Sequence, residues 1–346
     1  MEILLLERLD PEAQAWLQAR HRIAWRPELA EDAAALRRQL YNVQAMVLPR
    51  KVVVTRELLD FAPVLRAIAR LHVGTEHTDL EACRDHRVRV VQGTHAHVRS
   101  NAEYLLASLL LLMRRGIGAA LRGDREAPPL VGRELHGSTI GLLGLAPAAH
   151  ALALMLNALG ARLIGYDPAV HHTASVWRRL HIEPMGLQDV LSRADAVTVQ
   201  VLYASRFQGF INDKVLAHCR PGQLWVATTR SRIFEPNALA QALRDGRIEA
   251  AMLDGAEAGF AARGTPLADL PNLYLTPRIG SLTQESRQRA SWYVAQRLHE
   301  TLTTPPSAAF DAVLSGPAPL DSQPAPLSGP APLEDERAAA PPGTAR

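Results

Sequence analysis

A chain of 346 residues with 47% apolar side chains can bury more than one core, because a single compact unit stops growing near about 250 to 300 residues. Its 38 Lys+Arg against 35 Asp+Glu leave a net charge of only +3, spread along the chain with no basic arm, which excludes recruitment by nucleic acid through bulk charge. Only Lys51 and Lys214 are lysines, so nearly all the positive charge is arginine, the cation suited to planar contacts with anions. The two cysteines, Cys83 and Cys219, are too few for a disulfide framework and form no metal-ligand pattern, so no metal is expected and a reducing, cytoplasmic setting fits. The first ten residues carry Glu2 and Glu7 and read as a first strand, not a secretion signal. The longest apolar run, 104–113, falls short of the roughly 20 residues that span a bilayer, so no membrane partner is expected.

In chain order, 3–6 reads as a strand, 11–20 and 31–40 as helical, 45–48 as a strand, 56–71 as helical and 88–91 as a strand, a rhythm that predicts a parallel sheet covered on both faces. A loop of unusual chemistry follows, 92–99, then a long helix over 101–115. A polar stretch with Gly123, Asp124, Pro128 and Pro129 separates this unit from a second start at Ser138. There 139–143 is β-prone, 144–149 a turn, 151–159 helical, and 163–166 a strand ending at Asp167. Strands over 196–201, 224–227, 250–253 and 273–275, with a helix over 237–244, complete a second doubly wound unit. A last helix, 284–302, is expected to cross back to the first unit. Beyond Thr304, two copies of LSGPAPL (314–320 and 327–333) sit in a Pro, Ala and Ser-rich tract that cannot bury a core and reads as a disordered tail.

The turn Gly144-Leu145-Ala146-Pro147-Ala148-Ala149 opens a helix directly after a strand, and Asp167 ends the next strand. In a dinucleotide-binding fold the first glycine makes the tight turn, the second lets the backbone approach the pyrophosphate, and an acid about 20 residues on holds the ribose hydroxyls. Here the first glycine and the acid are present, Ala146 takes the second glycine's place and Ala149 the third's. Pro147 suits the first helical turn but removes one donor from the anion site. Asp167 without a following arginine predicts NAD over NADP.

Taken together, Arg99-Ser100-Asn101-Ala102-Glu103, the block 139–168, Arg220-Pro221-Gly222, Thr228-Thr229-Arg230, Ala251-Met252-Leu253-Asp254 and Leu275-Thr276-Pro277-Arg278-Ile279-Gly280 resemble the D-isomer-specific 2-hydroxyacid dehydrogenases over roughly 40–300. The resemblance implies an α/β fold of two doubly wound parallel-sheet domains, a Rossmann-type NAD-binding domain (104–283) inserted into a flavodoxin-like substrate domain (1–103 with 284–303). It implies a homodimer, and NAD held by Gly144, Leu145, Ala146, Pro147, Asp167, Thr229 and Asp254. Arg230 matches the family's substrate-binding arginine. The family's catalytic histidine falls at Arg278 and its paired glutamate at Gly259, so both halves of the proton relay are replaced. Glu257, two residues before Gly259, matches another acidic position of the family. A solvated loop carboxylate is the preferred reading there, and partial rescue of the relay by a shifted loop is the alternative. A histidine follows Glu103 in the family, and Tyr104 stands there in this chain.

The glycine-rich turn that holds the substrate carboxylate in the family reads His72-Val73-Gly74-Thr75, and the next loop carries Gln92, Thr94, His95 and His97. One reading makes Val73, Gly74 and His97 substrate contacts and His95 the proton donor beside Arg230 and Arg278, since imidazole titrates in the right range. The other leaves these histidines on the surface. For the whole chain the sequence supports an oxidoreductase acting on the CH–OH group of a small anionic 2-hydroxy or 2-keto acid, with a catalytically silent NAD-binding sensor or scaffold as the alternative.

Overall fold

The computed structural model describes residues 3–72, 74, 77–115, 130–201 and 205–305. Val73 and Thr75, the stretch 123–129 and the repeat-bearing tail lie outside the described residues. Five strands, β1 (Ile3–Leu5), β2 (Ile23–Trp25), β3 (Ala45–Val47), β4 (Ala67–Arg70) and β5 (Arg89–Gln92), form a parallel sheet in the order β2-β1-β3-β4-β5. Seven more, β6 (Thr139–Leu143), β7 (Arg162–Tyr166), β8 (Ile182–Pro184), β9 (Ala196–Val199), β10 (Gln223–Ala227), β11 (Ile248–Asp254) and β12 (Leu273–Thr276), form a second in the order β12-β11-β10-β9-β6-β7-β8. Every pairing is parallel. Parallel strands need crossover helices, which cover both faces. Accordingly every residue of β1, β3, β4, β9 and β10 is buried, and each sheet carries one apolar cluster on either face. The strand order reverses at β1/β3 in the first sheet and at β6/β9 in the second, and ligands of such sheets bind outside the carboxyl ends of the strands at these switch points. No helix among the described residues is long and apolar enough to cross a membrane.

One element departs from the sequence expectation. The helical run over 56–71 is a short helix, Arg56–Asp60, followed by β4. Pro63 removes a backbone donor and pushes Ala62 out of the helical region, and the apolar residues beyond it are buried on both sides as a central strand. The short edge strands β2 and β8 and the helices Ser175–Arg179 and Leu187–Arg193 add to the elements that the sequence pattern announces.

The last helix, Gln284–Thr303, does cross back. Thr283 caps it by accepting from the Ser286 amide at 3.1 Å, and Ala290, Val294, Ala295 and Leu298 pack with Leu5, Leu17, Ala67 and Ala69. His97 locks this helix to the first sheet. Its Nε2 donates to the Leu71 carbonyl at 2.8 Å and its Nδ1 accepts from the Ser286 hydroxyl at 2.6 Å. The ring is 6% exposed, so the expected substrate contact at His97 is corrected: both nitrogens are committed to the fold. Arg70 performs a similar task at the carboxyl edge of the sheet. Fully buried, it donates to Thr78 Oγ1 and to the carbonyls of Pro49, Val52 and His77 at 2.8–3.1 Å, tying together the segments that leave β3 and β4.

Both clasps can be tested by their effect on stability. Arg70→Leu leaves three carbonyls without their donor, each loss costing about 1–3 kcal/mol when buried. We expect destabilisation of about 3 kcal/mol or more, read as a lower urea midpoint with an unchanged slope. Burial also holds the His97 imidazole below its ordinary pKa. The unfolded chain therefore takes up a proton below about pH 6.5 that the folded chain refuses. This contribution is complete above about pH 6.5 and is lost as pH falls toward the lowered native value. Urea titrations at pH 7.5 and 5.5 should show a larger acid-induced loss for the natural chain than for His97→Gln; equal losses would contradict the assignment.

Candidate functional site

At the second sheet's switch point, β6 leads into Gly144, whose φ is +95°. A methyl group here would run into the backbone of Gln200 and Val201, with the Gln200 carbonyl carbon 2.6 Å away. Glycine is required because the chain leaving β9 passes directly over the turn. Helix Pro147–Ala158 begins immediately after, with proline in its first turn and no side-chain cap at Ala146. Pro147 has no amide hydrogen and the Ala149 amide donates to the Ala146 carbonyl at 2.7 Å, which leaves the Ala148 amide without a side-chain acceptor, a donor suited to an anion. Asp167, at the end of β7, accepts from the Leu145 amide at 2.6 Å through Oδ2 and from the Ala169 amide at 2.7 Å through Oδ1. A carboxylate offers about four acceptor positions, so this half-exposed group fixes the turn and still has lone pairs for ribose hydroxyls. Leu145 is buried, while Ala146 and Pro147 are half-buried at the rim. The turn, the uncapped helix start and the acid fit a dinucleotide.

Further along the same edge, Thr229 follows β10 and donates to the Val201 carbonyl at 3.0 Å, joining the ends of β9 and β10. Asp254 closes β11. Its carboxylate accepts from Thr276 Oγ1 at 2.6 Å and from the amides of Ile279 and Gly280 at 2.8 and 2.9 Å. Tyr104, in the long helix Val98–Met113, meets Thr276 Oγ1 at 2.7 Å, and Ser100 of the same helix donates to the Gly280 carbonyl at 2.6 Å. Asp254 thus shapes the segment after β12. In the sequence Tyr104 stands out only as a departure from the family histidine, because its place in this network depends on a contact across 172 residues.

That segment presents Arg278 in the left-handed region, φ 58°, which a long side chain adopts only when its surroundings impose it. The side chain lies across Gly255: a methyl at position 255 would overlap Arg278 Cγ, with Cδ and Nε 3.1 Å away. The absence of a side chain at Gly255 is therefore what leaves room for the Arg278 side chain. Two residues further on, Arg230 Nη1 lies 3.9 Å from Glu257 Oε1. Glu257 also takes the Ser231 hydroxyl on Oε2, and its amide donates back to Ser231 Oγ at 3.1 Å. The preferred sequence reading of Glu257 as a solvated loop group is corrected, since its side chain is only 21% exposed.

The predicted site residues fall into separate groups. Gly144, Leu145, Ala146, Pro147 and Asp167 converge at one end of the second sheet's rim, and Thr229, Arg230, Asp254 and Arg278 at the other. On the first sheet, Gly74 follows β4, and its carbonyl accepts from Gln92 Nε2 at 2.8 Å. His95 is exposed on the turn Thr94–His97. His150, which no sequence motif singles out, lies in the helix that follows Gly144, and burial and Arg179 hold its pKa low.

Residues 107–280 match the family described as D-isomer specific 2-hydroxyacid dehydrogenase, NAD binding domain. An (S)-sulfolactate dehydrogenase from Chromohalobacter salexigens is 32% identical over 305 residues, covering 87% of this chain and 98% of that protein. A D-3-phosphoglycerate dehydrogenase from Mycobacterium tuberculosis is 31% identical over 304 residues, covering 87% of this chain and 56% of its own length, so the chain spans little more than half of that relative. Among solved structures, a protein from Thermus thermophilus superimposes with a TM-score of 0.74 at 26% identity over 87% of this chain and 97% of that one. A D-lactate dehydrogenase from Treponema pallidum shares the fold, with a TM-score of 0.73 at 19% identity over 87% and 97% of the two chains. The chain belongs to the D-isomer-specific 2-hydroxyacid dehydrogenase family, and its second sheet is that family's NAD-binding domain.

Proposed function

We propose that this chain interconverts the 2-hydroxy and 2-keto forms of a small acid that carries a second anionic group. The substrate would sit between the unit formed by residues 1–103 with 284–303 and the NAD unit, 104–283. The observation that carries this reading is that one short stretch, 255–257, meets two arginines: Arg278 lies across Gly255 and Arg230 lies 3.9 Å from Glu257. One guanidinium is enough for a 2-carboxylate. The second stands where the family places a neutral or titrating histidine, and an arginine, always protonated, cannot serve as a proton donor. It can bind another anion, in fork geometry. The relatives named above act, by their names, on sulfolactate and 3-phosphoglycerate, acids with a sulfo or phospho group besides the carboxylate.

Bound NAD supplies the hydride acceptor or donor. The turn at Gly144 to Pro147 and the Ala148 amide of the following helix would hold its diphosphate, and Asp167 its ribose. Thr229 and Asp254 shape the far wall, Thr229 by joining β9 to β10 and Asp254 by fixing the segment that presents Arg278. On the first sheet, Gly74, held by Gln92, is the glycine that would meet the substrate carboxylate. We also take the chain as a homodimer, a reading supported by Leu110, Leu111 and Leu154, apolar side chains 37–58% exposed on two helices that pack together.

An NADH fluorescence titration followed by turnover assays tests the reading. A hydrogen bond to a charged group is worth about 1.5–3 kcal/mol, roughly 10- to 150-fold. We therefore expect sulfopyruvate or phosphohydroxypyruvate to exceed pyruvate and glyoxylate in kcat/KM by about tenfold or more, and Arg278→Ala to collapse that preference. Equal use of mono- and dianionic acids, with no effect of Arg278→Ala on the ratio, would overturn the assignment.

A further inference from the structure

With Arg278 in the histidine's place, hydride chemistry at C2 still needs a group to exchange the hydroxyl proton near neutral pH. We infer that Glu257 is that group, positioned by Ser231. The inference rests on the reading of Arg230 and Arg278 as the substrate clamp.

The two oxygens of Glu257 are unlike. Oε2 is held by the Ser231 hydroxyl, and Ser231 in turn accepts from the Glu257 amide, so the hydroxyl fixes both the backbone and the carboxylate of one residue. Oε1 is buried and accepts no hydrogen bond from any described residue, while Arg230 Nη1 lies 3.9 Å away. A buried acceptor left open beside a guanidinium is a place for a donor from outside the chain. A hydroxyl on the carbon next to a carboxylate bound by Arg230 is such a donor. The charged group beside it is Arg230, from the segment after β10; Arg278, across Gly255, and Asp254, bonded to the amides of Ile279 and Gly280, are the charges of the adjoining stretch.

The loop also accounts for why the family's own glutamate position is not the one used. At Gly259 φ is +86° and a Cβ would meet nothing within 4 Å. A side chain there would be strained and would point into open space. Two residues earlier the same loop turns Glu257 inward onto Ser231.

In the oxidation direction the substrate's O–H bond breaks and its proton passes to Glu257 Oε1. The C2=O bond forms as the electron pair of the C2–H bond leaves as hydride, which bound NAD would take up. Reduction reverses each transfer, with the protonated carboxyl giving its proton to the developing alkoxide. The carboxylate form serves oxidation and the acid form serves reduction, so one ionisation should limit oxidation on its acid side and reduction on its alkaline side.

Glu257→Gln keeps the shape and a hydrogen bond to Ser231 but cannot exchange the proton. Loss of general acid–base catalysis is worth about 10²- to 10⁴-fold. We expect kcat to fall at least about 100-fold in both directions, the shared ionisation to vanish from the pH profiles, KM to change less than about threefold, and NADH fluorescence titration to be unaltered. Glu257→Asp should restore the ionisation with intermediate kcat. If Glu257→Gln is insoluble, Ser231→Ala should lower kcat several-fold and displace the same limb of the profile. A limb that persists in Glu257→Gln or stays unmoved in Ser231→Ala overturns the inference alone. A defect confined to KM would reduce Glu257 to a support for Arg230. Natural-sequence protein that binds NADH yet turns over no 2-keto acid would instead defeat the substrate reading, and this inference with it.

Discussion

Asp254 closes β11 with a carboxylate that accepts a hydroxyl and two backbone amides, and the course of the segment after β12 is decided there. Hydrogen bonds to a charged acceptor contribute about 1.5–3 kcal/mol each. Together they outweigh the roughly 1–3 kcal/mol of strain that a left-handed arginine stores. The strained position of Arg278 is thus sustained from below, by a group 8% exposed that also engages the long helix through Thr276 and Tyr104. Loosening Asp254 would release the arginine before it disturbed either sheet, because the apolar clusters on the sheet faces are built from other residues.

Above this anchor, five residues adapt to one another. Gly255 leaves room for the stem of Arg278, and Glu257 turns toward Ser231 and Arg230. Exchanging a titrating histidine for a permanent cation strengthens the hold on anions and removes a proton carrier. With the Asp254 carboxylate taken up by Thr276 and the amides of Ile279 and Gly280, the guanidiniums of Arg230 and Arg278 would draw in an anionic acid and stabilise the oxygen that becomes negative during reduction.

Much of the fold is legible in the sequence because parallel strands buried on both faces leave short apolar runs, and β6, β10 and the last helix begin or end within a residue or two of where those runs do. The run over 56–71 misleads because Leu58, Leu59, Ala62 and Leu65 keep a helical spacing through Pro63, and only tertiary burial turns the second half into β4. The strands β2 and β8 are three residues long, with little burial to announce them. At the site, Gly144, Asp167 and Arg230 can be placed because backbone sterics and charge tie them to the ends of strands. The histidines cannot. The fate of His97 is set by Ser286, 189 residues away, and no local pattern encodes that pairing. Glu257 is misread for a related reason: its direction depends on left-handed glycines at 255 and 259, which a sequence permits but does not require.

Gly255 and Arg278 form one steric unit within the proposed substrate clamp. A double-mutant cycle on kcat/KM for a dianionic 2-keto acid addresses it directly, using Gly255→Ala, Arg278→Ala and the pair. If the arginine crosses the position a methyl would fill, the alanine at 255 already displaces it, and the double variant should be little worse than Arg278→Ala alone. Fully additive losses would mean that the two residues act independently and would contradict this account of the site.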